Sequence, residues 1–395
     1  MSIQQLLKSR LFVLLTITVF YITSLSITRP ILSLYATELG LSAFLLGLLI
    51  STFAVFPALF SVQAGKWSDK IGAKRMMYIG LSSFFVALLI PSLMPNLATL
   101  FLSQMFVGLG HNFMMISMQR VAGSAGSNRD KSVASLSLFT SIGEFSGPLI
   151  GGFAYEHAGF QTTFLLAAGL ILFCFLCNML LTSKPIAAKE SGRSAVKKGG
   201  SFEMLRHASI RKALVVSGLS ISSKDLFVAY FPLYGSQIGL TPSQIGIVLS
   251  MTAAAFIFVR AIQYPLVAKF TRGAVMLGSL AIAGAMFLVI PFIPHFTILC
   301  VLSFIVGMGL GLGQPLSLVY VLNASPEGRV GELLGLRILA NRLFQLSAPS
   351  LFGIVGGTLG ISPIFWTSGI LLLSGSWYSK ENRTDTVSPE THTKA

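Results

Sequence analysis

The chain is poor in charge. Only 10% of its 395 residues are Asp, Glu, Lys or Arg, and just 13 are acidic. Soluble domains carry roughly 25% charged residues, and no soluble chain of this length hides 53% hydrophobic residues. Cysteine is scarce too. Cys174, Cys177 and Cys300 all lie in apolar runs, so neither a disulfide framework nor a metal site is expected. Cys174-x-x-Cys177 reads as buried thiols acting as small apolar residues. No glycine-rich phosphate loop followed by Lys-Ser/Thr is present, which excludes nucleotide hydrolysis of that kind. No enzymatic activity and no cofactor are expected. No cleavable leader is expected either, because the first apolar run, from Leu11, is too long and lacks a small-residue cleavage site.

What the chain does hold is apolar length. Twelve runs lie near 11–36, 42–66, 76–95, 97–123, 132–157, 160–182, 209–236, 242–268, 273–293, 296–323, 330–358 and 361–379. Most are about 20 to 27 residues, enough to cross a bilayer with some tilt. The expected fold class is an all-α membrane protein of twelve transmembrane helices. The excess of 28 basic over 13 acidic residues could suggest nucleic acid. Its placement argues for topology instead. Lys and Arg fall in alternate loops, while those near 37–41, 92–97, 157–160, 237–242, 294–296 and 359–362 have none. Basic loops stay cytoplasmic, so both termini are expected there, in a multi-pass protein of the cell membrane, a bacterial plasma membrane. No nucleic-acid partner is expected.

The segment 183–208, rich in Lys, Ser, Gly and Ala, reads as a cytoplasmic linker between halves 1–182 and 209–379, with an amphipathic surface helix possible near Phe202–Ile210. The polar tail 380–395 reads as disordered. The halves repeat. Tyr35 to Ser51 aligns without a gap on Tyr234 to Ser250, 199 residues on, and Val107–Gly110 falls on Val306–Gly309. Two six-helix halves around a central site are a transporter architecture.

Two motifs carry a resemblance. Gly65-Lys66-Trp67-Ser68-Asp69-Lys70-Ile71-Gly72-Ala73-Lys74-Arg75 joins runs two and three, and its glycines suit tight turns and close packing. It resembles the signature loop of the major facilitator superfamily. The resemblance implies that Asp69, with Gly65, Lys70, Gly72, Lys74 and Arg75 around it, latches the two halves on the cytoplasmic side in the outward-open state. In run five, Gly143-x-x-x-Gly147-Pro148-x-x-Gly151-Gly152 puts glycines every fourth residue beside a proline bend, a smooth face for helix packing. It resembles the antiporter motif of the family's drug:proton exporters. Together these imply proton-coupled export of an amphipathic small molecule by alternating access, as a multidrug efflux antiporter. Two departures stand out. Gln104 occupies the position of the family's fourth-helix Arg, and Pro265 and Lys269 replace Gly and Asp where the signature loop should recur.

A charge inside the bilayer costs several kcal/mol unless it is paired or wet. The candidates for proton coupling are Glu144, Asp225, His111 and Arg260, with a Glu144–Arg260 ion pair expected across the halves. Candidates for the substrate cavity are Arg29, Asn112, Lys224, Tyr230, Arg337 and Asn341. Lys224 and Asp225 are adjacent, hence about 100° apart on their helix, and need not pair with each other. The cations leave a second reading open, export of a hydrophilic or anionic metabolite such as a metallophore or sugar. A membrane sensor without transport is a third. The expected partners are a small-molecule substrate, protons and the lipid bilayer, and the protein is expected to be monomeric.

Overall fold

The structure is a computed structural model. It describes residues 10–124, 129–181, 208–323 and 330–379, without the side chains of 61, 62, 69, 123–124, 129–130, 208–209, 272, 319–323 and 330–332. Residues 183–207 of the expected linker, with most of the expected surface helix, the tail and the Asp69 side chain lie outside the described residues, whereas 208–210 open a membrane-length helix.

Every described element is helical. In chain order these are α1 Arg10–Glu38, α2 Ala43–Ile71, α3 Ala73–Leu93 and α4 Leu97–Ser124. The run Arg129–Leu180 breaks at Gly159, where φ is 75°, into α5 (129–158) and α6 (160–180). Then come α7 Ala208–Gln237, α8 Pro242–Lys269, α9 Arg272–Val289, α10 Phe296–Asn323, α11 Val330–Leu359 and α12 Ser362–Ser379. Ten helical runs are long and apolar enough to span a membrane. One of these is the run broken at Gly159, so with α12 the α-helices among the described residues number twelve.

The breaks follow from local chemistry. Ser42 and Thr241 cap α2 and α8 by accepting from Leu45 and Gln244, satisfying amides that a helix start leaves open. Gly40 and Gly239, before these caps, have φ of 69° and 83°, a region costly for other residues. Between α2 and α3 the loop reduces to Gly72, with φ 84°. The turn expected at Gly65 is absent. Gly65 lies within α2, and a Cβ there would meet nothing within 4 Å.

The sequence repeat recurs as packing. A Cβ on Gly108 would collide with the Phe53 carbonyl, and one on Gly307 with the Thr252 carbonyl. Gly110 lies against Gly80 and Phe84, and Gly309 against Ser279 and Ala283. Every pair of counterparts is 199 residues apart. Small residues let helix backbones touch where lipid gives no hydrophobic push.

The halves meet closely at the end that bears the loops without Lys or Arg, the neutral end. Gly47 of α2 lies on the Pro349 carbonyl of α11, and Gly246 of α8 on the Pro148 carbonyl of α5. Gly152 lies on the Pro242 carbonyl, and Gly353 on that of Ala43. These four contacts form two matching sets, so α11 carries a partial copy, Pro349 and Gly353, of the motif in α5. The Glu156 carboxylate accepts from the Ser243 amide at 2.9 Å, a favourable place for a negative charge at the start of α8. Ser51 and Ser350 join α2 to α11 at 2.8 Å.

Toward the opposite, basic end, exposure spreads around the helices. In α5, Val133, Ala134, Ser137 and Leu138 are exposed on two faces, as are Tyr264, Pro265 and Lys269 in α8. The molecule is closed at its neutral end and open toward its basic end.

The motif glycines of α5 do not all face the seam. Gly143, Gly147 and Gly151 pack on α1, against Ile22, Ser26 and Ile27, inside the same half. Only Gly152, with the Pro148 carbonyl, meets the other half.

Candidate functional site

A cavity of about 210 Å³ lies between the halves, bordered by α1, α2, α4, α5, α7, α8 and α11. Its walls are mostly apolar, with Ile22, Leu25, Phe53, Met115, Ile221, Leu249 and Phe256 among them. Two ion pairs cross it.

Arg29 of α1 donates to Asp225 of α7 at 2.7 Å. Lys224, the preceding residue, donates to Glu144 of α5 at 2.7 Å. The 100° step between neighbours on a helix sends the two side chains to different helices of the opposite half. Each cation also lies over a ring, Arg29 over Phe53 at 4.3 Å and Lys224 over Phe256 at 4.9 Å. A ring face and a carboxylate thus share the task of replacing water around each cation. The Lys224 and Glu144 side chains keep 32% and 22% of their surface exposed, against 9% for Asp225. With the neutral end closed, that access runs to the basic end.

The two carboxylates are held differently. Both oxygens of Asp225 are used, Oδ1 by Arg29 and Oδ2 by Gln345 Nε2 at 2.7 Å. Gln345 in turn accepts from Arg342 at 2.8 Å. Glu144 receives its described bond at Oε1 alone. Asp225 is thus held by two described donors and Glu144 by one.

The remaining candidates fall in three places. His111 lines the cavity and hydrogen-bonds Tyr21 through Nδ1 at 2.9 Å. Arg260 does not meet Glu144 in this structure. It donates to the Ser137 carbonyl at 2.8 Å and to the Ser141 hydroxyl, about one turn nearer the basic end, because an arginine at that depth finds those oxygens first. Asn112, Tyr230, Arg337 and Asn341 do not line the cavity. Asn112 is buried. Tyr230 donates to the Pro349 carbonyl at 2.7 Å, within the neutral-end closure. Arg337 donates to the Gln314 carbonyl and side chain, and Asn341 accepts from Ser217, inside the second half. Arg337, Asn341 and Gln345 follow one another at four-residue spacing on α11, and of these Gln345 reaches the cavity.

Gln104 borders a small void shared with Arg29, Phe53 and Asp225. The guanidinium beside that position comes from α1 rather than α4. In the signature segment, Lys74 donates to the Met179 carbonyl at 2.9 Å, and Arg120 to Ser68 at 3.3 Å. These contacts stay within the first half. No group of three or more His, Cys, Asp or Glu able to hold a metal occurs among the described residues.

The sequence profile described as Major Facilitator Superfamily matches residues 14–262 and 213–394. An uncharacterized MFS-type transporter of Methanocaldococcus jannaschii is 22% identical over 380 residues, covering 92% of this chain and 95% of the relative. The quinolone resistance protein NorA of Staphylococcus aureus is 23% identical over 374 residues, covering 93% and 95%. A crystal structure of a POT family transporter in complex with 5-aminolevulinic acid superposes with a TM-score of 0.79 at 14% identity, over 93% of this chain and 94% of that one.

Proposed function

Because the chain belongs to the major facilitator superfamily, and is therefore a multi-pass membrane transporter rather than an enzyme, we propose that it exports an amphipathic small molecule in exchange for protons. Glu144 carries the proton. The observation that bears this reading is the pair of cross-half ion pairs in an otherwise greasy cavity. A proton on Glu144 releases Lys224 and removes one of the two ion pairs that cross the cavity, so protonation state and rocking are coupled. Asp225, held by Arg29 and Gln345, keeps α1 and α7 in register. The apolar walls suit an amphipathic substrate, and the similarity to a quinolone resistance protein supports the direction of transport.

The basic end is then cytoplasmic, both termini with it, and the molecule stands inward-facing in a bacterial plasma membrane, acting as a monomer. Asp69 belongs to the cytoplasmic latch of the outward-facing state. The reading is tested by reconstitution in liposomes loaded with an amphipathic fluorescent dye. An imposed pH gradient should drive dye movement, and Glu144→Gln should abolish that drive. Dye flux indifferent to the gradient removes proton coupling from the proposal. A second reading, export of an anionic metabolite, draws on Arg342, whose described acceptor is the neutral amide of Gln345. It predicts flux of organic acids and none of dyes.

A further inference from the structure

The two seams of the neutral end are related by the repeat, but one carries an extra bond. In both, a glycine meets a proline carbonyl: Gly47 with Pro349, Gly246 with Pro148. In the α2–α11 seam that carbonyl also accepts from the Tyr230 hydroxyl at 2.7 Å. The same hydroxyl lies 3.3 Å from the carbonyl of Ala43, which belongs to the other half. A Cβ on Gly47 or Gly353 would press on that hydroxyl as well as on the backbone, so both glycines leave it room. Tyr230 is fully buried. The position 199 residues earlier is Ile31, which has no hydroxyl, so the Pro148 carbonyl has no such partner.

We infer that Tyr230 is a positioning residue for transport, holding the α2–α11 seam closed and setting how often the neutral end opens. Its hydroxyl faces two carbonyls on opposite sides of the seam. The hydroxyl has one hydrogen and shares it between these carbonyls, so opening carries Ala43 away and leaves only the bond to Pro349 in its own half. The α5–α8 seam lacks this tie and relies on Glu156 with the Ser243 amide and on Ser250 with the Phe145 carbonyl. The inference stands whichever substrate the protein carries.

The test uses the full-length protein in membranes. Val228 lines the cavity and becomes the reporter as Val228→Cys, with labelling of the parent chain subtracted. A membrane-impermeant thiol reagent is applied from the face at which Leu39→Cys, on the neutral-end loop, reacts. This fixes sidedness independently of the transport reading. Tyr230→Phe should raise the labelling rate about twofold, the low end of one hydrogen bond's worth, because only the longer of its two contacts crosses the seam. Tyr234→Phe is the control. Tyr234 is also a buried α7 tyrosine, but it donates to the Ile290 carbonyl within its own half, and its loss should leave the rate unchanged. An unchanged rate in Tyr230→Phe overturns the inference. So does an equal rise in Tyr234→Phe, which would mean that any lost buried hydroxyl loosens the protein.

Discussion

Lys224 and Asp225 are consecutive on α7 and bond to different helices of the opposite half, Lys224 to Glu144 on α5 and Asp225 to Arg29 on α1. One turn of a single helix therefore holds both charged ties across the cavity. The two are unequal. The Glu144 tie is wetter and has one described donor, whereas Asp225 is buried and has two.

That inequality separates the two carboxylates. Glu144→Gln should lose transport driven by a pH gradient but keep exchange of substrate across the membrane without a gradient. Counterflow and gradient-driven uptake, measured on the same liposomes, check this. Full gradient-driven transport in the variant would move the proton to Asp225.

Asp225→Asn should behave as a structural lesion. It leaves Arg29 without a carboxylate, and removing one partner of a buried pair costs about 3–5 kcal/mol. The exposure remaining on Arg29, 23%, places the loss at or below the lower end. Thermal unfolding in detergent should show a clear fall in Tm. The double variant Arg29→Gln with Asp225→Asn should recover part of it, because no charge is then left alone.

Arg260→Gln should leave the pH dependence of transport unchanged, since Arg260 bonds Ser137 and Ser141 rather than Glu144. A shifted pH profile would place Arg260 near Glu144 in the other state of the cycle.

The all-helical fold and its apolar helices were legible in the sequence because the length of an apolar run reports directly on what a bilayer crossing needs. The repeat was legible as well, and its offset of 199 reappears in the glycine contacts of α4 and α10. Pairing across the cavity was not. A sequence gives the depth of a residue in its helix but not how helices rotate against one another. Glu144 thus had two cations within reach in principle, and Arg260 was taken up by oxygens one turn away. Tyr230 and Val228 show the same limit. Two residues apart on one helix, they point about 200° from each other, so Val228 lines the cavity while Tyr230 enters the seam. Nothing in their residue types tells these roles apart. The α11 counterpart of the α5 motif was hidden because Phe344, Ala348 and Phe352 stand where three of the glycines would be.

Gly65 offers a direct contrast between motif and geometry. It belongs to the signature segment, yet a side chain there would meet nothing within 4 Å. Gly65→Ala should stabilise α2 by about 0.5–1 kcal/mol. If transport then falls while Tm rises, Gly65 is needed for close contact only when the basic end closes.

The crossings of α5 with α1 and of α11 with α7 fill the same space in opposite ways. Gly143 of α5 receives Val19 and Ile22 of α1, whereas Phe344 of α11 fills the hollow at Gly218 of α7. Val19 corresponds to Gly218 in the repeat, and Gly143 to Phe344. Each crossing thus has one bulky and one bare partner, on opposite helices. Grafting the first half's α5 sequence onto α11 alone would set bare against bare and leave a void. Grafting the α11 sequence onto α5 would drive Phe into Val19 and Ile22. The two halves are copies that have lost interchangeability, and either can be rebuilt in the other's image only by exchanging both helices of a crossing at once.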